Sequence, residues 1–123
     1  MIQSLFVAAG GALGALARYG VATWLAPASQ RTTLPWGTIA VNLAGCLAIG
    51  ALMGFAQAKD GLSEGARTFL MIGILGGFTT FSAFGLETVS LIRAGASTLV
   101  AANLLLQVGG GLVAVWIGWS LAT

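Results

Sequence analysis

The sequence predicts an all-α integral membrane protein with four membrane-spanning helices. Of its 123 residues, 58% are hydrophobic and only 7% are charged, and the mean hydropathy is +0.98. A soluble domain needs about 25% charged residues to cover its surface. Four spans of about 20 residues each use most of the chain. We therefore expect residues 1–123 to form one four-helix transmembrane domain.

The predicted helices are four apolar segments separated by short connections. They cover residues 2–25, 36–57, 67–92 and 98–121. The first helix is expected to end before Pro27, and Pro35 opens the second near its first turn. The predicted connections are residues 26–34, 58–66 and 93–97.

Small residues recur at intervals of four in three of the predicted helices. In lipid, helices associate where small residues let their backbones approach closely. The spacing therefore predicts tight helix packing at three glycine pairs, which are Gly10/Gly14, Gly50/Gly54 and Gly73/Gly77.

The third helix contains a segment that is a poor helix former at the depth of the membrane centre. A glycine pair, Gly76-Gly77, is followed by Phe78 and then by Thr79-Thr80. We expect a break near Gly76–Thr80, whose freed backbone carbonyls must find protein groups or an ion as partners.

Polar side chains inside the helices admit two interpretations. Helix two carries Thr38 and Asn42 on one face, and helix four carries Asn103 and Gln107 four residues apart. Such residues usually form hydrogen bonds between helices, but they can also line a pore with amide and hydroxyl donors. From the residues alone both interpretations stay open.

Beside the predicted break, Phe81 and Phe84 are neighbours on one helix face, flanked by Thr80 and Ser82. Aromatic stripes are usually core, but the electropositive edges of these rings could also face a small anion. Arg18 in helix one could raise the anion concentration in a vestibule. Glu87, late in helix three, is interpreted as a vestibule or interface residue.

The remaining composition argues against catalysis and against nucleic-acid binding. The chain has no histidine, one cysteine and three acidic residues, so no metal cluster, catalytic triad or buried carboxylate pair can be assembled. Asp60 and Glu64 are expected to be solvated in a loop. The five basic residues are scattered and form no patch.

Loop charges give no clear orientation in the membrane. Lys59 and Arg67 lie on the side of the termini, and Arg31 and Arg93 lie on the opposite side. Because Lys and Arg in short loops set orientation, this balance favours insertion both ways. An antiparallel homodimer is the natural assembly of such a chain.

Three segments resemble the Fluc (CrcB-type) fluoride channel family, and the likeness covers essentially the whole chain. They are GGALGALARY at residues 10–19, GTIAVNLAG at residues 37–45, and GGFTTFSAF at residues 76–84 followed by Glu87.

The resemblance implies a dual-topology antiparallel dimer with two fluoride pores in the prokaryotic plasma (inner) membrane. It implies passive export of fluoride that enters the cell as the neutral acid. Phe81 and Phe84 would contact fluoride, Asn42 would donate in the pore, and Arg18 would shape an aqueous vestibule. Backbone carbonyls of Gly76 and Thr79 from both subunits would hold a structural sodium ion.

Two positions depart from the family pattern. Ala83 stands where the family often has a hydroxyl residue. On helix four the family's polar track is usually built from hydroxyls, whereas this chain offers Asn103, Gln107 and Gly111. Amide N–H groups are donors too, so Asn103 and Gln107 are kept with Thr80 and Ser82 as expected pore residues.

Two rival functions belong to other classes. A small multidrug-resistance-type exporter, which is proton-coupled, also has four helices and dual topology, but it needs a membrane-embedded acid, typically in helix one, where this chain has none. A non-transporting assembly subunit would need neither the broken helix nor the phenylalanine pair.

Overall fold

The computed structural model describes residues 1–58 and 61–123, and this part of the chain folds into helices. Helix α1 is Ile2–Thr32 and α2 is Trp36–Ala58. The third span, Glu64–Arg93, consists of α3 (residues 64–78) and α4 (Phe81–Arg93), and the fourth span is α5 (Ser97–Ala122). All four spans are long and apolar enough to cross a membrane, which confirms the predicted helical class.

The prediction that the first helix ends before Pro27 is wrong, because α1 continues through this proline to Thr32. Proline is tolerated inside membrane helices where neighbouring side chains and local adjustments satisfy the backbone. Helix α1 ends where Thr33 turns left-handed with φ 65°, and its N–H donates to the Ser29 carbonyl at 2.8 Å. The positive charge of Arg31 in the last turn interacts favourably with the negative end of the helix dipole.

The third span begins earlier than predicted, at Glu64 rather than Arg67. Ser63 is its N-cap, and the Ser63 hydroxyl accepts a hydrogen bond from the Ala66 N–H at 3.2 Å. The expected loop position of Glu64 is therefore wrong, and its carboxylate accepts a hydrogen bond from the Gln3 amide of α1. The predictions for Lys59 and Asp60 lie outside the described residues.

Helix α1 packs against α3 through glycines on both helices. A Cβ added at Gly10 would lie 2.6 Å from the Phe69 carbonyl oxygen, and one at Gly77 would lie 2.5 Å from the Gly11 carbonyl oxygen. Side chains at these positions would collide with backbone, which cannot move aside as a flexible side chain can. Close backbone approach is thus what joins these helices.

Helix α2 packs against α5 in the same way. A Cβ at Gly54 would lie 2.6 Å from the Trp119 carbonyl oxygen, and one at Gly50 would meet the Val115 carbonyl. Gly118 of α5 returns the contact against the Leu47 carbonyl of α2. The predicted packing at the three glycine pairs is confirmed.

Large apolar side chains lie mostly on the outside of this helix bundle. Helix α1 exposes Leu16 and Trp24, and α5 exposes Trp116 and Leu121, each by more than 60%. Such surfaces match a lipid environment, in which burying leucine against leucine gains nothing.

Candidate functional site

The third span is interrupted at Thr79-Thr80. Thr79 has ψ 157° and Thr80 has φ −150° and ψ 119°, so both residues are extended. The Thr80 hydroxyl then caps α4 by accepting from the Ala83 N–H at 3.2 Å. The predicted break near Gly76–Thr80 is confirmed, but Gly76 and Gly77 are still helical and the extended residues are the two threonines.

Ending α3 in this way frees backbone carbonyls. The last four carbonyls of a helix lack partners within it. The Leu75 carbonyl is satisfied by Thr79, whose N–H and hydroxyl donate to it at 3.0 Å and 2.9 Å. The carbonyls from Gly76 onward are released from the helical pattern.

The Asn42 side chain of α2 holds the extended segment in place. The Thr80 N–H donates to Asn42 Oδ1 at 2.9 Å, and Asn42 Nδ2 donates to the Thr80 carbonyl at 3.0 Å. One primary amide thus satisfies both backbone groups of Thr80. Asn42 joins α2 to the break, as the hydrogen-bonding interpretation of its position expects.

A chain of side-chain hydrogen bonds continues from Asn42 to the other spans. Asn42 Nδ2 donates to Gln107 Oε1 at 2.6 Å, and Gln107 Nε2 donates to Asn103 Oδ1 at 2.9 Å. Asn103 Nδ2 donates to the Thr88 hydroxyl at 3.0 Å. The Thr88 hydroxyl in turn donates to the Phe84 carbonyl at 2.7 Å. We call Asn42, Gln107, Asn103 and Thr88 the amide relay.

The pore residues predicted from the sequence include Asn42, Asn103 and Gln107 but not Thr88. The available signal was the four-residue spacing from Phe84 to Thr88, which puts both on one face of α4.

Beside the break lies an open cavity of about 490 Å³ between α2, the third span and α5. Its walls bring together most of the predicted pore and metal residues with apolar neighbours. The lining residues are Asn42, Gly45, Cys46, Ile49, Met71, Leu75, Gly76, Thr79, Thr80, Phe81, Phe84, Gln107, Val108, Gly111, Leu112 and Val115. Neither Ser82 nor Asn103 is part of this lining. Asn103 is fully buried, whereas Ser82 is exposed and its Oγ lies 3.3 Å from Thr80 Oγ1.

The two phenylalanines of α4 differ sharply in exposure. Their ring centroids are 5.5 Å apart and the ring planes are tilted by 52°. Phe84 is 8% exposed, whereas Phe81 is 82% exposed. Phe84 therefore belongs to the inside of one protomer, and Phe81 projects from its open face.

Glu87 lies in a second cavity, of about 540 Å³, near the connection between α1 and α2. The Thr38 hydroxyl donates to Glu87 Oε1 at 2.6 Å. Within the described part of the chain, the buried Oε2 atom has no hydrogen-bond partner. Arg18 is half-buried on α1, and the described lining of these two cavities does not include it.

The chain is similar over most of its length to a known protein family. The family model described as CrcB-like protein, Camphor Resistance (CrcB), matches residues 5–119. The chain belongs to the CrcB family. The resemblance found in the three sequence segments is thereby confirmed.

Relatives of this CrcB protein cover nearly its whole length. One from Methylobacillus flagellatus is 42% identical over 98% of this chain and 94% of its own. One from Chloroflexus aurantiacus is 45% identical over 98% of this chain and 95% of its own. Both are named fluoride-specific ion channel FluC. These names belong to ion channels, in agreement with the prediction that the CrcB protein is not an enzyme.

Proposed function

We propose that this protein is a fluoride-selective ion channel that exports fluoride from the cytoplasm passively and so relieves fluoride toxicity. The observation that carries the proposal is the break at Thr79-Thr80, where Asn42, Phe81 and Gln107 meet at one cavity. Full-length similarity to fluoride-specific channels supports the choice of ion.

The site offers hydrogen-bond donors to fluoride, and neither lysine nor arginine is among the described residues that line the cavity. Fluoride is small and strongly hydrated, so its water must be replaced by well-aimed donors. Asn42 and Gln107 carry amide N–H groups, Thr80 and Ser82 carry hydroxyls, and Asn103 orients Gln107 from behind. Phe81 and Phe84 contribute electropositive ring edges.

We propose that a second, antiparallel copy completes the pores. The cavity is open on the face that carries Phe81, which is 82% exposed, and in a lone protomer the polar side chains in its lining would face lipid, which cannot satisfy them. Gly76 is exposed on the same cavity wall. A two-fold dimer would close both cavities, and each pore would then include residues from both copies.

The sodium ion implied by the family fits the groups at the break. A hard monovalent cation takes backbone carbonyl oxygens, and α3 releases carbonyls from Gly76 onward beside an open face. A Cβ added at Gly76 has as its nearest neighbour the Met71 carbonyl oxygen, 3.9 Å away, so space for a second chain exists there. Carbonyls of Gly76 and Thr79 from both copies would hold the ion, which would stabilise the dimer.

At the ends of the pore, Glu87 and Arg18 are the proposed vestibule residues. Glu87 and Thr38 both line the 540 Å³ cavity. Thr38 lies on α2 about one helical turn before the proposed pore residue Asn42. A positive charge at Arg18 would raise the local fluoride concentration.

We place the protein in the plasma (inner) membrane of a prokaryote as one multi-pass domain of residues 1–123. Four candidate spans and bacterial channel relatives support this location.

Efflux of fluoride from liposomes, followed with a fluoride-selective electrode, tests the proposal. Liposomes that contain the purified protein should release fluoride rapidly while chloride stays trapped, because a narrow pore penalises the larger ion. Equal rates for both ions would refute the selectivity. Proton-driven export of organic cations without fluoride flux would instead support a multidrug exporter.

A further inference from the structure

The hydrogen bonds of the amide relay all run in one direction in the structure. At one end the Thr80 backbone N–H can only donate, so Asn42 must present Oδ1 to it. At the other end the Thr88 hydroxyl donates to the Phe84 carbonyl, which can only accept. Every amide between these ends then accepts on one side and donates on the other.

In this direction Gln107 faces Asn42 with its carbonyl oxygen. The distance from Asn42 Nδ2 to Gln107 Oε1 is 2.6 Å, and both side chains line the 490 Å³ cavity. Gln107 therefore occupies the Asn42 N–H that points away from Thr80. An anion in this cavity can reach that N–H only by displacing the Gln107 carbonyl.

An anion is itself only an acceptor, so it cannot lie stably against the Gln107 carbonyl oxygen. If Gln107 turns its amide over, its NH₂ group faces the anion instead. Its carbonyl then faces Asn103, which must turn over as well and present its own NH₂ group. The Thr88 hydroxyl completes the reversal by donating to Asn103 Oδ1 rather than to the Phe84 carbonyl.

Both directions satisfy the same side chains. The Phe84 carbonyl loses the hydroxyl but keeps the N–H that the turn of α4 supplies. The Asn42 bonds to Thr80 are unchanged, so the break keeps its support. Asn103 is 0% exposed, so water does not compete for its amide, and Gln107 is 9% exposed at the cavity wall. Reversal therefore needs no buried group to lose its last partner.

We propose that the amide relay reverses when fluoride enters the cavity, so that Gln107 changes from an acceptor for Asn42 into a second N–H donor for the ion. This inference rests on the proposed function. It makes Asn103 and Thr88 positioning residues that act through Gln107. It also gives the amides of α5 a specific task in fluoride binding.

Nuclear magnetic resonance of the ¹⁵N-labelled protein in lipid nanodiscs tests the reversal directly. On titration with sodium fluoride, the side-chain amide signals of both Asn42 and Gln107 should shift and show scalar coupling to ¹⁹F. Sodium chloride at the same concentrations should produce neither effect. Coupling to Asn42 alone would overturn the reversal and leave the channel proposal intact, whereas absence of fluoride efflux from wild-type liposomes would overturn the channel proposal itself.

Two variants distinguish a Gln107 amide that donates to the ion from one that only supports the structure of the site. Gln107→Met removes the donor and should lower fluoride efflux about tenfold or more, since hydrogen bonds to ions are the stronger ones. Asn103→Leu keeps the approximate shape and leaves the Gln107 amide able to face the ion, but the Gln107 carbonyl loses its partner, so efflux should fall by a smaller factor, about threefold. The Thr88 hydroxyl still donates to the Phe84 carbonyl in this variant.

Gln57→Met, at the exposed end of α2, is the matched control and should have wild-type efflux. If Asn103→Leu and Gln107→Met form folded proteins and lose efflux equally, the relay only braces the site and the inference is overturned. Thermal unfolding of each variant establishes that it is folded.

Discussion

Substitutions at two adjacent glycines of α3, Gly76 and Gly77, test the packing within one protomer and the assembly of two protomers separately. A Cβ at Gly77 would lie 2.5 Å from the Gly11 carbonyl oxygen, whereas ordinary contacts begin at 3.4 Å. For Gly77→Ala the helices α1 and α3 must therefore separate by about 0.9 Å, the difference between these distances, and overpacking of this kind costs about 1–3 kcal/mol. Backbone lies on both sides of the clash, so no side-chain rotation relieves it.

Gly76→Ala meets no such obstacle within the protomer, because the nearest atom to its Cβ lies 3.9 Å away. Within a single protomer, alanine at this helical position should raise the free energy of unfolding by up to about 1 kcal/mol relative to glycine. If a second copy lies against this face, the added methyl crowds it. We therefore expect Gly76→Ala to form a folded protomer with a weakened dimer and little fluoride efflux.

Thermal unfolding and single-molecule photobleaching distinguish the two variants. Gly77→Ala should unfold at a lower temperature than wild type, and Gly76→Ala should bleach in one step more often. A Gly76→Ala protein that stays dimeric with full fluoride efflux would refute the placement of the second copy.

Three further predictions concern the pore, the topology and the metal. Phe81→Ile and Phe84→Ile should each lower efflux about tenfold through loss of the ring edge, while photobleaching still shows dimers; wild-type efflux in both would make the pair ordinary packing. In a Cys46→Ala background, cysteines at the exposed positions Gln30 and Thr123 should each be labelled in part from outside the cell; full labelling of one and none of the other would establish a single orientation. Prolonged dialysis against sodium-free buffer should reduce efflux, and sodium should restore it; unchanged efflux throughout would count against the ion.

Composition and spacing were sufficient to predict the helical class, the four spans and the glycine contacts, because lipid imposes strong constraints on each of them. The break was predictable from Gly76-Gly77 and Thr79-Thr80, since such a segment is a poor helix. Its position at the threonines was not predictable, because the Asn42 amide that satisfies Thr80 comes from a residue 38 positions away.

The wrong helix end at Pro27 and the omission of Thr88 have separate causes. Pro27 looked like a helix end, yet α1 tolerates it and extends to Thr32. Thr88 was not assigned to the site because its hydrogen bond from Asn103 joins two different spans. Spacing along one helix shows which residues share a face, but it does not show what that face meets.

The most direct test of fluoride conduction is electrical recording from the purified protein in a planar lipid bilayer. With a fluoride gradient in one direction and an equal chloride gradient in the other, the reversal potential reports which anion the pore selects. We predict a reversal potential close to the equilibrium potential of fluoride. A value midway between the fluoride and chloride equilibrium potentials, or no current at all, would contradict the proposed channel.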